Sequence, residues 1–91
     1  MFDATYDYHT LGLVEPNQIN YLCDRFLSES YAEGHKYLLI ITGKGISQGQ
    51  NAGLVKKNVF TNLKKNKLVK KFSEAKPQWG GSGAFEVWLK A

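Results

Sequence analysis

Hydrophobic and polar residues alternate over residues 4–9, a stretch rich in Tyr and Thr, and this period of two predicts a first strand. The period then changes. Pro16 suits the first turn of a helix, and Ile19, Leu22, Cys23, Phe26, Leu27 and Ser30 follow at spacings of three and four, up to Gly34. That spacing predicts an amphipathic helix. Residues 37–42 form a nearly continuous apolar run with two consecutive isoleucines, the pattern of a strand covered on both faces in a parallel sheet. Strand, helix and strand make a βαβ unit.

Four of the nine glycines fall within residues 43–53, together with Ser47, Gln48, Gln50 and Asn51, so this segment is read as a long loop. A second helix is predicted over 54–66, burying Leu54, Val55, Val59, Leu63 and Phe60 and turning Lys56, Lys57, Lys64 and Lys65 outward. Residues 69–75 and 84–89 alternate as strands, and the segment 77–83 between them reads as another glycine-rich loop. The order βαβαββ has no internal repeat. It predicts a two-layer α/β sandwich in which both helices pack on one four-stranded sheet.

Composition narrows what such a fold can do. Ninety-one residues, 43% of them hydrophobic, allow one small domain over 1–91, with function on loops or on one face rather than in a cleft between domains. The longest apolar run is far short of the roughly 18 residues of a membrane span. The N-terminus Met-Phe-Asp-Ala-Thr-Tyr-Asp shows neither a basic region nor an apolar stretch of a secretory signal. Cys23 is the sole cysteine, so no internal disulfide is available, and a reduced cytoplasmic setting with Cys23 in the core is expected.

Charge divides the chain in two. Residues 1–35 carry six carboxylates against Arg25, a net of −5, whereas residues 36–91 carry eleven lysines against Glu74 and Glu86, a net of +9, giving the whole chain +4. Paired lysines on a helix are ordinarily just a solvated face. Eight of them between Lys56 and Lys76 point further, to a polyanion, and nucleic acid is the expected partner because neutralising phosphates releases counterions.

The candidate chemistry lies at strand ends. Asp7 and His9 stand two apart on the first predicted strand, which projects a carboxylate and an imidazole from one face. The triplet is common by chance, but here it ends one strand of a βαβ unit whose second strand ends in Thr42-Gly43-Lys44-Gly45. Ligands of open α/β sheets favour that edge. Around Lys44, glycines let backbone N–H groups approach a phosphate while the ammonium supplies a point charge. The segment lacks Walker A spacing, so nucleotide hydrolysis is not indicated. Gly80-Gly81-Ser82-Gly83 is either a hairpin turn or a third phosphate loop, and Trp79 beside it is either a core anchor or a platform for an unpaired base. One Cys and two His cannot build a structural zinc site, no serine sits in a nucleophile elbow, and His35 reads as a helix C-terminal cap.

Together these motifs resemble one family, the Smr (small MutS-related) domain, over nearly the whole chain. Asp7-Tyr8-His9 is similar to its Asp-Leu-His element. Ile40-Ile41-Thr42-Gly43-Lys44-Gly45 resembles its second element, which reads His-Gly-x-Gly or Thr-Gly-Lys/Arg-Gly, and Gly80-Gly81-Ser82-Gly83-Ala84 its Gly-Gly-x-Gly-Ala stretch. The chain departs from the pattern at Thr10, where the family usually has Gly, and at Thr42, where many members have His. The resemblance implies a four-stranded mixed sheet with two helices on one face, like the C-terminal domain of translation initiation factor three, and endonucleolytic cleavage or nicking of DNA or RNA.

On this reading His9 is the general acid or base, Asp7 orients it or holds a metal, and Lys44 with Thr42, Gly43 and Gly45 cradles the scissile phosphate. Lys56, Lys57, Lys64 and Lys65 would follow the backbone, with Gly80, Gly81 and Gly83 beside it. No protein-held metal set is evident, and magnesium or manganese is the open cofactor. The competing readings are a non-catalytic nucleic-acid or ribosome-binding module on the same fold and, third, a small-molecule phosphate-binding domain.

Overall fold

The computed structural model describes residues 1–8, 11, 14–43 and 50–91, with the side chains of residues 50–52 outside that description. Its elements run β1 (Ala4–Asp7), α1 (Pro16–Ala32), β2 (Tyr37–Ile41), α2 (Gln50–Lys65), β3 (Val69–Glu74) and β4 (Ala84–Leu89). The sheet order is β1-β2-β4-β3, with β1 parallel to β2 and the other two pairings antiparallel, so the sheet is mixed. The expected order βαβαββ is therefore the observed one.

Strand periodicity decides which face each side chain takes. Leu38 and Ile40 of β2, and Phe85, Val87 and Leu89 of β4, enter one core with Ile19, Cys23 and Leu27 of α1 and Val55, Val59 and Leu63 of α2. Both helices thus cover the same face. Alternate residues Leu39 and Ala84 pack on the opposite face with Ala75, covered by Phe2, Ile41 and Trp79. Cys23 is buried as expected, and burial pushes its thiol pKa up to about 11.

Helix α1 begins where the sequence suggested, with Pro16 first and the Glu15 N–H donating to Gln18 Oε1 at 3.2 Å. It ends in a Schellman arrangement: the Gly34 N–H donates to Tyr31 O and the His35 N–H to Ser30 O. His35 caps through its backbone N–H.

Two expectations need correction. Helix α2 starts at Gln50, four residues before its predicted start, so the second loop is shorter than the 43–53 reading. Phe60 is 45% exposed instead of buried, because the buried arc of α2 is set by Val55, Val59, Asn62 and Leu63 and Phe60 stands on its flank. The 77–83 segment is also more ordered than a plain hairpin loop. It forms two short 3-10 turns, Pro77–Trp79 and Gly81–Gly83. Among the described residues, no helix is long and apolar enough to cross a membrane.

Candidate functional site

Parallel pairing brings the ends of β1 and β2 to one edge of the sheet, with Asp7 opposite Ile41 in register. The next residue after Asp7 is the anchor of this corner. Tyr8 is buried, and its hydroxyl donates to Ile19 O of α1 at 2.8 Å, so the strand end carrying Asp7 is tied to the first helix. Burial holds the Tyr8 phenol far above its ordinary pKa, leaving it a neutral hydrogen-bond donor. His9, Lys44 and Gly45 lie outside the described residues.

The third motif segment joins the second through the backbone. The Thr42 and Gly43 N–H groups both donate to Gly83 O, at 2.8 and 3.0 Å, and the buried Thr42 hydroxyl donates toward Gly43 O and Gly83 O at 3.1 and 3.3 Å. Residues 41 apart in sequence are thereby clamped together. The Thr42 hydroxyl is an internal fastener, so this position offers no titrating group. Gly43 itself takes φ 83°, a left-handed conformation that favours glycine.

Gly80 is required more strictly. Its φ is 122°, and a Cβ built there would stand 3.0 Å from the Ala84 Cβ at the head of β4. Gly80→Ala is expected to lower stability by about 1–3 kcal/mol, since both the backbone conformation and the contact resist a side chain. A denaturant melt equal to that of the unsubstituted protein would remove this account. Gly81 is also left-handed, with φ 55°, but open space surrounds it. Trp79 anchors the turn: it is half-buried and meets Phe2 edge-on at 5.4 Å. The core-anchor alternative is the one that the contacts support.

The lysines separate into two groups. Lys56 and Lys57 belong to the first half of α2, which follows the second loop, and Lys56 Nζ pairs with Glu74 at 2.9 Å near the end of β3. Lys64 and Lys65 sit in the last turn of α2, where cations complement the helix dipole, at the end remote from Asp7 and Gly43. Asp7, Thr42, Gly43 and the 80–83 turn are thus brought together, while Lys64 and Lys65 are not. Phe60 among these lysines is the feature that helical periodicity alone missed. Its sequence signal is an aromatic interleaved with Lys56, Lys57 and Lys64. Among the described residues, no three His, Cys, Asp or Glu side chains cluster as a protein-built metal site requires.

Known proteins share this fold. The Smr domain profile matches residues 9–90. Over 89 residues the chain is 37% identical to Endonuclease MutS2 of Carboxydothermus hydrogenoformans, covering 98% of this chain and 10% of that protein. It is 37% identical over 67 residues to Endonuclease MutS2 of Aquifex aeolicus, covering 74% of this chain and 8% of that one. The chain therefore spans about a tenth or less of the length of these relatives. The crystal structure of the Smr domain of Thermus thermophilus MutS2 superposes with TM-score 0.80 at 26% identity, covering 97% of this chain and 99% of that one. That of YdaL, a stand-alone small MutS-related protein from Escherichia coli, gives 0.82 at 26% identity, covering 96% and 64%. A profile match over almost the whole length, together with the same fold and the three motif segments in order, means that this chain belongs to the Smr domain family.

Proposed function

We propose that this domain is an endonuclease or nickase acting on the phosphodiester backbone of DNA or RNA. The observation that carries the reading is the meeting of Asp7, the Thr42-Gly43 turn and the 80–83 turn at one sheet edge, closed by the hydrogen bonds to Gly83 O. The relatives named endonucleases lend it support. In this reading Lys44 and the Gly43 and Gly45 backbone receive the scissile phosphate and offset the charge that grows on it during displacement. His9 moves the proton of the attacking or leaving oxygen, with Asp7 orienting the ring. Lys56 and Lys57 continue the cationic track along α2, and Lys64 and Lys65 hold a more distant stretch of backbone.

A divalent cation would draw on Asp7 and take its remaining ligands from water and phosphate oxygens, as magnesium commonly does. The cation would neutralise phosphate charge. The same reading places the domain in the cytoplasm, where a single free cysteine stays reduced.

One observation favours the non-catalytic alternative, a nucleic-acid or ribosome-binding module. Where many family members carry His, this chain has Thr42 with its hydroxyl bonded internally, so the second motif supplies no imidazole. Cleavage of labelled single-stranded RNA, duplex DNA and supercoiled plasmid, each with magnesium, manganese or chelator, decides between the two. Cutting of any of these polymers is expected. Binding to all three without cutting would favour the recognition module.

A further inference from the structure

Beside the edge just described, α2 and β3 leave a groove whose aromatic floor the nuclease reading does not use. Phe60, 45% exposed, forms one wall. Its ring meets Phe72 edge-on at 5.5 Å and lies 6.2 Å from that of Phe85, so three phenylalanines make a continuous surface. The cavity measures about 490 Å³ and is also lined by Gly53, Lys56 and Lys57. That volume lies within the roughly 300–1,000 Å³ of small-molecule sites.

Two further features indicate what enters. The first is charge. Lys56, Lys57 and Lys64 surround Phe60, with Lys64 Nζ 5.5 Å from its ring, and the groove's one acid, Glu74, is already paired with Lys56. A net positive rim around an aromatic floor fits a flat ring that carries a phosphate on each side. The second is Gly53. Glycine in a helix costs about 1 kcal/mol relative to alanine, yet among the described residues outside its own helical turn a Cβ at Gly53 would meet no atom within 4 Å. Among the described residues nothing fills the space where that side chain would stand, and the space borders the groove.

We infer that this groove takes one unpaired base of a single-stranded nucleic acid, stacked against Phe60, while Lys57 and Lys64 hold the flanking phosphates. The inference rests on the proposed nucleic-acid function and adds a preference for unpaired substrate. Phe60 lies ten residues into α2, about 15 Å along its axis from the end nearest the second loop. A strand leaving the phosphate cradle could cover that distance in a few nucleotides. An exposed aromatic on a charged helix is by itself unremarkable. The groove, the cation ring and the unexplained glycine together distinguish this one.

The test compares affinity for labelled oligothymidylate, oligouridylate and a hairpin duplex among the unsubstituted protein, Phe60→Leu, Phe60→Trp and Gly53→Leu. Thermal melts confirm that each variant folds. Phe60→Leu and Gly53→Leu are each expected to weaken single-strand binding on the order of 10-fold, with duplex binding changed less than about 2-fold and the salt slope preserved. Phe60→Trp should restore single-strand affinity, with its fluorescence quenched on binding. The thymidylate and uridylate arms show which polymer supplies the base. If the unsubstituted protein binds single strands and both leucine variants match it, the groove assignment fails and the nucleic-acid reading survives. If the unsubstituted protein binds neither single strands nor duplex at low salt, the nucleic-acid reading fails and the groove assignment falls with it.

Discussion

Replacing His9 by alanine is expected to lower phosphodiester cleavage by roughly 10²- to 10⁴-fold, the usual contribution of a positioned acid or base, while affinity for the uncut polymer stays nearly constant. The split follows from where charge resides. A single imidazole adds little to counterion release, so the dependence of affinity on salt should change little in this variant. Lys44→Ala should instead weaken binding and cleavage together, because in the proposed role its ammonium would face phosphate both before and during the displacement. Asp7→Asn should fall between, retaining the shape of the strand end but losing the charge that orients the ring. Tyr8 makes the comparison clean: its side chain is pinned in the core by the bond to Ile19 O, so substitutions at its neighbours leave the anchor intact. Cleavage that persists at the original rate in His9→Ala would remove the histidine from the mechanism.

Much of this corner was legible in the amino-acid sequence because the βαβ unit has few solutions. An apolar run at 37–41 must be covered on both faces, and a parallel neighbour with a helix between supplies that cover. Once β1 and β2 are parallel, Asp7 and Thr42 fall at the same edge. The glycine turn was harder to place. Its link to Thr42 spans 41 residues and ends on a backbone carbonyl, Gly83 O, which no residue type announces. Local signals also failed at α2. Gln50 to Gly53 lack apolar spacing and hold a glycine, so the first turn reads as loop. Phe60 follows Val59 by one residue, about 100° around the helix, which places it at the margin of the buried arc. Periodicity counts such a position as core, and only the placement of β3 shows it opening on a groove.

The largest stability effect is expected at Glu86, a position that alternation assigns to the polar side of β4 and that tertiary structure buries. Its residue is only 3% exposed on the sheet face opposite the helices. The Tyr37 hydroxyl donates to Oε1, and the Lys76 N–H donates to Oε2 at 3.0 Å, so one carboxylate joins β2, β4 and the start of the 77–83 turns. Tyr37 in turn stacks on Trp88, which lies under the Lys71 ammonium. Glu86→Ala leaves both donors without their acceptor and is expected to cost about 2–4 kcal/mol, since bonds to a charged group are worth about 1.5–3 kcal/mol each. For a domain of this size, total stability is on the order of 5–14 kcal/mol. The pH dependence has a definite sign. The Tyr37 hydroxyl bond, aided by the Lys76 N–H, holds the Glu86 pKa below its usual 4.5, so near that pH the unfolded chain binds more protons than the folded one. The carboxylate's contribution is complete above about 4.5 and is lost as pH falls through the lower, folded value. Asp3, whose carboxylate accepts the Lys36 and Tyr37 N–H groups, has the same sign and adds to the same acid limb. Glu86→Gln keeps the shape without the charge. The stability gap between it and the unsubstituted protein, read from denaturant melts at successively lower pH, should be widest near neutrality and narrow below 4.5. A gap that stays constant into acid would show that the burial of Glu86, rather than its charge, joins these strands.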